Sequence, residues 1–515
     1  MYQFSLKSFM GIYSNTLKNG ASGNTESRIE SLKKLLQLST YEHTTRSLFK
    51  DNRLMFALHL VHEMNPEMFM ENEWEFFTGV MIESAGAEEI NADIPNWIED
   101  ERRGDVSNLL KSFPELAKSF QISDSSLWSG FMKSEECEKD LPVQIEKKVS
   151  LFQQLLIVQA LRPDRLQSAM ENFLHKALNM KELAPPALNF NTIYNETSNA
   201  EPILLIVSPG SDPSQDLRDL AQQKRQTLHE IAMGQGQTDN ALQKLRESMK
   251  HGQWVCLKNL HLMTFWIPVL VKEMSLNESH QEFRLWLTAE SHPKFPAVLL
   301  ESSKKISYEA PPGIKRNLQT TLNSWSSGFI SKGQNIVRAQ TMFALAWFHA
   351  IVQERRTFIP QGWASFYEFS DSDLRTGIEV IENLFENVDG GISWEFIHGL
   401  FQNAIYGGRV DNNHDLRILK SYLLNYFNAN VLTGTNRAKK LLGPGIELPI
   451  SNNYQEYLDI VYKLPEDDKP VFFGLPANIE RSYQRNISSD VLKQLKMLAL
   501  SSESALKFDR EKWLN

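Results

Sequence analysis

Apolar and polar positions along the chain fall into patterns that change twice. Over residues 1–145 apolar side chains recur three and four apart, as in Ile29, Leu32, Leu35 and Leu36, or Leu54, Leu58 and Val61. Such positions share one helix face, so this part reads as mainly helical. A polar stretch at 19–27 and an acidic one at 134–140 punctuate it, the second being either a boundary or a solvated loop. From Val149 a long amphipathic helix is predicted through Leu151, Leu155, Leu156 and Leu161. Pro163 must break or restart it, because proline has no N–H to donate and clashes with the preceding turn.

Residues 200–310 change character. Ile203-Leu-Leu-Ile-Val207 is short, wholly apolar and rich in β-branched side chains, the signature of a strand buried on both faces. Further strands are expected at 229–233, at Trp254-Val-Cys-Leu257, at Phe283-Arg-Leu-Trp-Leu-Thr288 and at Lys305-Ile-Ser-Tyr308. Helices are expected between them, over 239–250, around 265–274 and near 295–301. After the first strand, Asp212 is placed to cap a helix, with Pro213 at its first position and Gln215 reaching back. Five strands alternating with helices imply a parallel α/β sheet covered on both faces. After Gly328 the pattern returns to helices through about Ala438, Gly443-Pro-Gly445 marks a break, and the end of the chain is mixed.

Composition narrows the function classes. The 515 residues suggest three or four folded units at about 150 each, and 42% apolar with 23% charged residues is ordinary globular composition. Lys+Arg 54 against Asp+Glu 63 gives −9, which argues against gripping nucleic acid through its phosphates. Two cysteines, Cys137 and Cys256, exclude a disulfide framework, and neither has zinc spacing. The longest apolar run, 343–352, is too short for a membrane span, and the first residues show no secretory signal. A soluble, intracellular protein is expected.

The candidate chemistry lies at two strand ends. A P-loop needs Gly-x-x-x-x-Gly-Lys-Ser/Thr, whose backbone N–H groups cradle phosphate while its lysine and hydroxyl reach phosphate and magnesium. Here the turn reads Ser208-Pro209-Gly210-Ser211-Asp212-Pro213-Ser214, with one glycine, no lysine, a proline lacking its N–H and an anion at Asp212. The third strand of a P-loop NTPase ends in an acidic pair that holds magnesium and activates water. This one ends Leu257-Lys258-Asn259, and Lys258 would repel a metal. A sheet that keeps the fold without the catalysis is the expectation.

Other motifs read as structure. Gly234-Gln-Gly236 is a partial dinucleotide fingerprint with Asp239 at the third glycine, and reads as a turn needing positive φ. His349, between Phe348 and Ala350, reads as a satisfied core histidine. Glu354-Arg355-Arg356 is expected to be a solvated helix end or an inter-domain ion pair, and Cys256 an inert buried thiol. The 11 Trp and 29 Phe are expected to supply core, since basic residues do not interleave with them. There is no Gly-x-Ser-x-Gly elbow and no His-Glu-x-x-His.

Several motifs, in order, resemble the sixth AAA+ module of dynein heavy chains. They are Arg162-Pro-Asp-Arg165, Ser208-Pro-Gly210 with Asp212-Pro213, Gly234-Gln-Gly-Gln237, Trp254-Val-Cys-Leu-Lys-Asn-Leu-His261 and Pro311-Pro-Gly313. Phe348-His-Ala350, Gln353-Glu-Arg-Arg356, Gly362-Trp363, Tyr367-Glu-Phe369, Tyr406-Gly-Gly-Arg-Val410 and Phe473-Gly-Leu475 continue the series. The opening Met1-Tyr-Gln-Phe-Ser-Leu6 is similar to the end of the preceding module. The tail, Ala477-Asn-Ile-Glu-Arg-Ser482 with Lys507-Phe-Asp-Arg510, most resembles the cytoplasmic dynein 2 class, the retrograde motors of intraflagellar transport.

The resemblance implies residues 1–145 as the helical lid of the fifth module and 146–325 as the α/β large subdomain of the sixth. It implies 326–450 as the latter's helical small subdomain and 451–515 as the segment leading to a C-terminal domain. It further implies a parent that is an ATP-driven, minus-end-directed microtubule motor of cytoplasm, cytoskeleton and cilium. ATP and Mg would sit in other modules, with neighbouring AAA+ modules, light intermediate and intermediate chains and microtubules as partners, and neither nucleic acid nor membrane insertion. This segment itself would bind no cofactor, nucleotide or metal. No intact P-loop and no sustained heptads are present, so the sequence reads as a piece of a heavy chain. The rival readings are an axonemal dynein fragment, a stand-alone NTPase and, through Gly234 and Gly236, a dehydrogenase.

Overall fold

The computed structural model describes residues 2–504, apart from 20–24, 81–93, 135, 181–187, 209–210, 235, 310–312, 326, 387–391, 431, 433–440, 444–445, 466–467 and 477. Much of the polar stretch at 19–27, Gly210, and the 507–510 part of the tail motif thus lie outside the described residues. The chain divides into two units. One takes in Met1–Ile206, Leu220–Ser307 and Arg481–Asn515, the other Val207–Asp219 and Tyr308–Glu480.

The first unit begins with helices, among them Thr25–Thr45, Lys50–Met64, Asp100–Ser112, Ser125–Lys133, Leu151–Leu161 and Leu166–Leu178. They close around one apolar core that includes Leu58, Val61, Trp128, Phe152 and Phe173, and that also takes in Val491 and Leu495 of the helix Asn478–Ser504. Ile29, expected to share such a face, is exposed. The helix Leu151–Leu161 starts at a capping box, with Ser150 and Gln153 each satisfying the other's backbone N–H. It is not amphipathic as expected. Phe152, Leu155, Leu156, Ile157, Val158, Ala160 and Leu161 are all buried, because this helix runs through the middle of the unit. Phe152 meets the rings of Phe69, Phe77 and Phe173 at 4.6, 5.3 and 5.5 Å.

The acidic stretch at 134–140 is not simply a solvated loop either, since Cys137 and Glu138 are buried. Pro163 restarts the helical path through the single turn Pro163–Arg165, which aims two arginines at this stretch. Arg165 forks onto the Glu138 carboxylate at 2.6 and 3.2 Å, and Arg162 donates to the Met132 carbonyl at 2.8 Å and to Asp164. Burial pushes the Cys137 thiol up to about 11, away from thiolate chemistry.

All five expected strands form: β1 Ile203–Val207, β2 Leu228–Ala232, β3 Trp254–Lys258, β4 Arg284–Ala289 and β5 Lys304–Tyr308. They build one parallel sheet in the order β2-β3-β4-β1-β5. The central β4 is buried throughout, whereas the edge strand β2 is mostly half-exposed, which is why β2 reads weakly in the sequence. Alternation along the strands separates two faces. Val255, Leu257, Leu285 and Leu287 share a cluster with Leu245 and Met249 of helix Thr238–His251 and with Ile267 and Leu270 of helix Ile267–Leu276. On the opposite face Trp254 and Trp286 meet Tyr194 and Phe190 of the short helix Phe190–Glu196 at 5.1 and 6.0 Å.

The second unit is organised around helix Ile336–Glu354, capped by Asn335, in which every residue from 338 to 353 is buried. Phe343 lies 5.1 Å from Tyr457, and Phe348 lies 4.8 Å from Tyr406 and 5.9 Å from Phe427. Arg355 corrects the expectation of a solvated end or an inter-domain pair. Its guanidinium is buried, donating from Nε to the Gly362 carbonyl at 2.7 Å and from Nη1 to Tyr422 Oη and the Phe473 carbonyl. A Cβ at Gly362 would sit 2.2 Å from the Arg355 carbonyl, so only glycine fits there. Asp415 accepts from Tyr367 Oη at 2.8 Å and from the Ala364 amide at 3.0 Å.

His349 is only half-satisfied. Its Nδ1 pairs with Tyr406 Oη at 3.1 Å, while Nε2 has no partner among the described residues. Burial holds its pKa down to about 4, so the ring is neutral near pH 7. Among the described residues no helix is long and apolar enough to cross a membrane.

Candidate functional site

The turn after β1 is built by short polar side chains bonding to their own backbone. Ser208 donates its amide to the Tyr308 carbonyl at 2.9 Å, and its hydroxyl pairs with that of Ser211 at 2.8 Å. Asp212 Oδ1 accepts from the Ser214 amide at 3.0 Å and from the Ser214 hydroxyl, fixing the start of helix Ser214–Gln223 with Pro213 beside it. Asp212 thus caps the helix as expected, but Gln215 does not reach back. Its side chain donates forward to Asp219 at 2.9 Å, so no capping box forms.

This occupancy decides what the turn can bind. A helix N-terminus attracts phosphate through unsatisfied amides and the positive end of its dipole. Here the side chain of Asp212 supplies the anion, and more carboxylates stand nearby. Tyr308 Oη donates to Asp216 Oδ2 at 2.8 Å. Desolvation raises the pKa of Asp216, with Asp219 and Asp212 adding repulsion that the Tyr308 hydrogen bond partly offsets. Asp371, opening helix Asp371–Glu386, is raised by desolvation and then by Asp212 and Asp216, with Arg375 opposing. A phosphate entering this turn would meet like charge and a Ser214 amide already taken by Asp212.

The end of β3 is neutralised differently. Lys258 forms an ion pair with Glu230, each side chain only 20% exposed. The register sets Glu230 opposite Cys256 and Ala232 opposite Lys258, so the pair lies diagonally across one face of the β2–β3 ladder. Asn259 adopts the left-handed region at φ 59° and donates its amide to Thr288 Oγ1 at 3.1 Å. Asn259 suits that conformation better than a β-branched residue would. Among the described residues at this strand end, the carboxylate is Glu230, committed to a lysine.

Sequence reasoning placed Ser208, Asp212, Pro213, Lys258 and Asn259 at strand ends, and there they lie; Gly210 falls outside the described residues. It missed Asp216, Tyr308, Asp371 and Glu230. Asp216 carries a readable signal, one helical turn past the cap. The others meet their partners only through long-range folding. Of the dinucleotide-like glycines, Gly236 has the positive φ, 80°, that a turn requires.

Residues 198–307 match the family described as "Dynein heavy chain region D6 P-loop domain", and residues 338–479 match "Dynein heavy chain AAA lid domain". The chain is 52% identical over its whole length to "Cytoplasmic dynein 2 heavy chain 1" of Tripneustes gratilla, and 51% identical to that of Homo sapiens. It is 30% identical over 94% of its length to "Dynein axonemal heavy chain 1" of Rattus norvegicus. The chain spans 12% of the length of the two cytoplasmic relatives and 11% of the axonemal one. One family match that contains both strand ends, a second over the helices that follow, and identity along the full chain lead to one conclusion: this chain belongs to the dynein heavy chain family, carrying its D6 P-loop domain and its AAA lid domain.

Proposed function

We propose that this chain is a non-catalytic, load-bearing segment of a motor ring, within a parent that is an ATP-driven, minus-end-directed microtubule motor for retrograde intraflagellar transport. The observation that carries the first half is the turn after β1. Asp212 occupies the start of the helix that would receive a phosphate, and the pKa values of Asp216 and Asp371 are raised by desolvation and by repulsion from Asp212. A segment without nucleotide contributes mechanically, as rigid subdomains passing rotation between neighbours. In this reading residues 1–145 are the lid of a fifth module, 146–325 the large subdomain of the sixth, 326–450 its small subdomain and 451–515 the way to a C-terminal domain. ATP and Mg act in other modules.

Packing against neighbouring modules is supported by apolar side chains left exposed at helical spacing. Leu6, Phe9, Met10, Tyr13 and Leu17 line helix Tyr2–Asn19, and Leu262, Phe265, Val269 and Leu276 follow β3. Light intermediate and intermediate chains and microtubules are partners of the parent. The cytoplasmic dynein 2 assignment is favoured over the axonemal one by identity, 52% against 30%.

Equilibrium binding of labelled ATP with magnesium tests the first half. No saturable binding at micromolar ATP is expected, and micromolar affinity lost in Ser211→Ala or a Gly210 variant would overturn it. Removing the parent gene tests the second half. Short cilia with swollen, particle-filled tips are expected, whereas cilia of normal length that fail to beat would establish the axonemal reading instead.

A further inference from the structure

We infer that His59, His62 and Glu63 form a binding site for a divalent transition-metal ion of the zinc class. The three residues occupy the last two turns of helix Lys50–Met64, within the helical part of the first unit. Positions three and four apart on a helix project side by side, so His59 faces both His62 and Glu63. One ligand atom from each of the three lies within 4.8 Å of the other two. Ligands around a tetrahedral zinc at about 2.0–2.2 Å stand about 3.3 Å from one another. His62 Nδ1 and Glu63 Oε1 already stand 3.2 Å apart. Bringing the remaining ligand atoms from within 4.8 Å to that spacing requires His59 and Glu63 to turn about their side-chain bonds.

Two further features favour an ion over a solvated cluster. The His62 ring is held in place, stacked on Trp74 at 4.2 Å and met edge-on by Phe69 at 5.1 Å. Packing of this kind fixes a ligand before the ion arrives and lowers the entropy lost on binding. The other two donors are unspent. Among the described residues His59 makes no hydrogen bond, and the Glu63 carboxylate, 61% exposed, pairs with no lysine or arginine but only with His62. Two imidazoles and one carboxylate suit zinc among the abundant divalent ions, and calcium or magnesium would demand more oxygen. Three protein ligands leave a fourth position for water or a donor from another molecule. Ligation would clip together the last two turns of helix Lys50–Met64, next to the His62 ring that packs on Trp74.

The test uses the 515-residue chain, prepared without a histidine tag and stripped with chelator. Titration with zinc chloride should show one saturable site and a raised thermal midpoint, and cobalt should give the visible absorption of a tetrahedral centre. His59→Gln and Glu63→Gln, which leave the Trp74 stack untouched, should each weaken zinc binding about tenfold or more while keeping the apo unfolding midpoint. Equal zinc affinity in the parent chain and both variants would overturn the site, as would absence of saturable binding in a chain whose circular dichroism shows it folded. The same outcome with magnesium replacing zinc at equal affinity would overturn the zinc-class assignment.

Discussion

The turn after β1 and the end of β3 are unlike in the way each departs from nucleotide chemistry. At β1 the departure is an excess of charge: Asp212 caps the helix, and Asp216 and Asp371 repel one another and any phosphate. At β3 it is a cancellation, with Lys258 absorbed by Glu230 across the ladder. The first place keeps a frustrated cluster at an exposed surface, the second a satisfied pair that is mostly buried. On the proposed reading, one strand end repels a phosphate and the other has satisfied its own charge, and the two should respond oppositely to mutation.

The largest expected effect must be removed before that contrast is read in acid. His349 is buried and its pKa is held down to about 4, so the folded state resists its protonation. Stability is full above the ordinary histidine value of 6.5 and is lost as pH falls from there through about 4, by about 3 kcal/mol if the whole shift is realised. His349→Gln should flatten this slope in denaturant titrations at several pH values. An unchanged slope would mean that His349 is not the group responsible.

Next in size is the β3 end. Lys258→Met removes the ion-pair partner of the partly buried Glu230 and should destabilise by about 1–3 kcal/mol, with Glu230→Gln in the same chain recovering most of the loss. A neutral Lys258→Met would break the comparison, because the pair would then be ornamental. Tyr308→Phe comes third. It removes the hydroxyl that donates to Asp216 and should lose about 1 kcal/mol while raising the Asp216 pKa further, visible by carboxyl-resolved NMR titration.

The smallest effect has the opposite sign. Folded pKa values raised above the unfolded ones mean that the native state binds more protons. The carboxylates therefore destabilise progressively as pH rises from the ordinary aspartate value of 3.8 through their raised folded values. Asp371→Asn should then stabilise at neutral pH, by roughly a few tenths of a kcal/mol since the group is exposed and screened. A loss of stability in Asp371→Asn would show that its role opening helix Asp371–Glu386 outweighs the repulsion.

Local chemistry made much of this legible. The inner strands β1, β3 and β4 could be read because parallel strands covered on both faces are near-continuous apolar runs, and β4 is buried at all six positions. The Asp212 cap and the positive φ of Gly236 follow from residue types within a few positions of one another. The missing lysine and missing carboxylates at the two strand ends are facts of composition at fixed offsets, so the departure of both turns from the P-loop pattern could be read from the sequence.

What folding alone decided has a common cause: every such feature joins residues far apart in the chain. A single-face pattern could not show that helix Leu151–Leu161 would be surrounded, because burial on its other faces comes from helices before and after it. Arg355 reads as a solvated charge until the Gly362 and Phe473 carbonyls and the Tyr422 hydroxyl accept its hydrogen bonds. Glu230 and Lys258 become partners only through the register of β2 on β3, and Tyr308 and Asp216 only because β5 lies beside β1. His59, His62 and Glu63 share a helix that the sequence announces, yet the stacking of His62 on Trp74 turns a helical spacing into a fixed ligand. Periodicity and residue type determine which groups are present on each element. The pairing of charges and the burial of rings belong to the packing, since both depend on neighbours that sequence proximity does not supply.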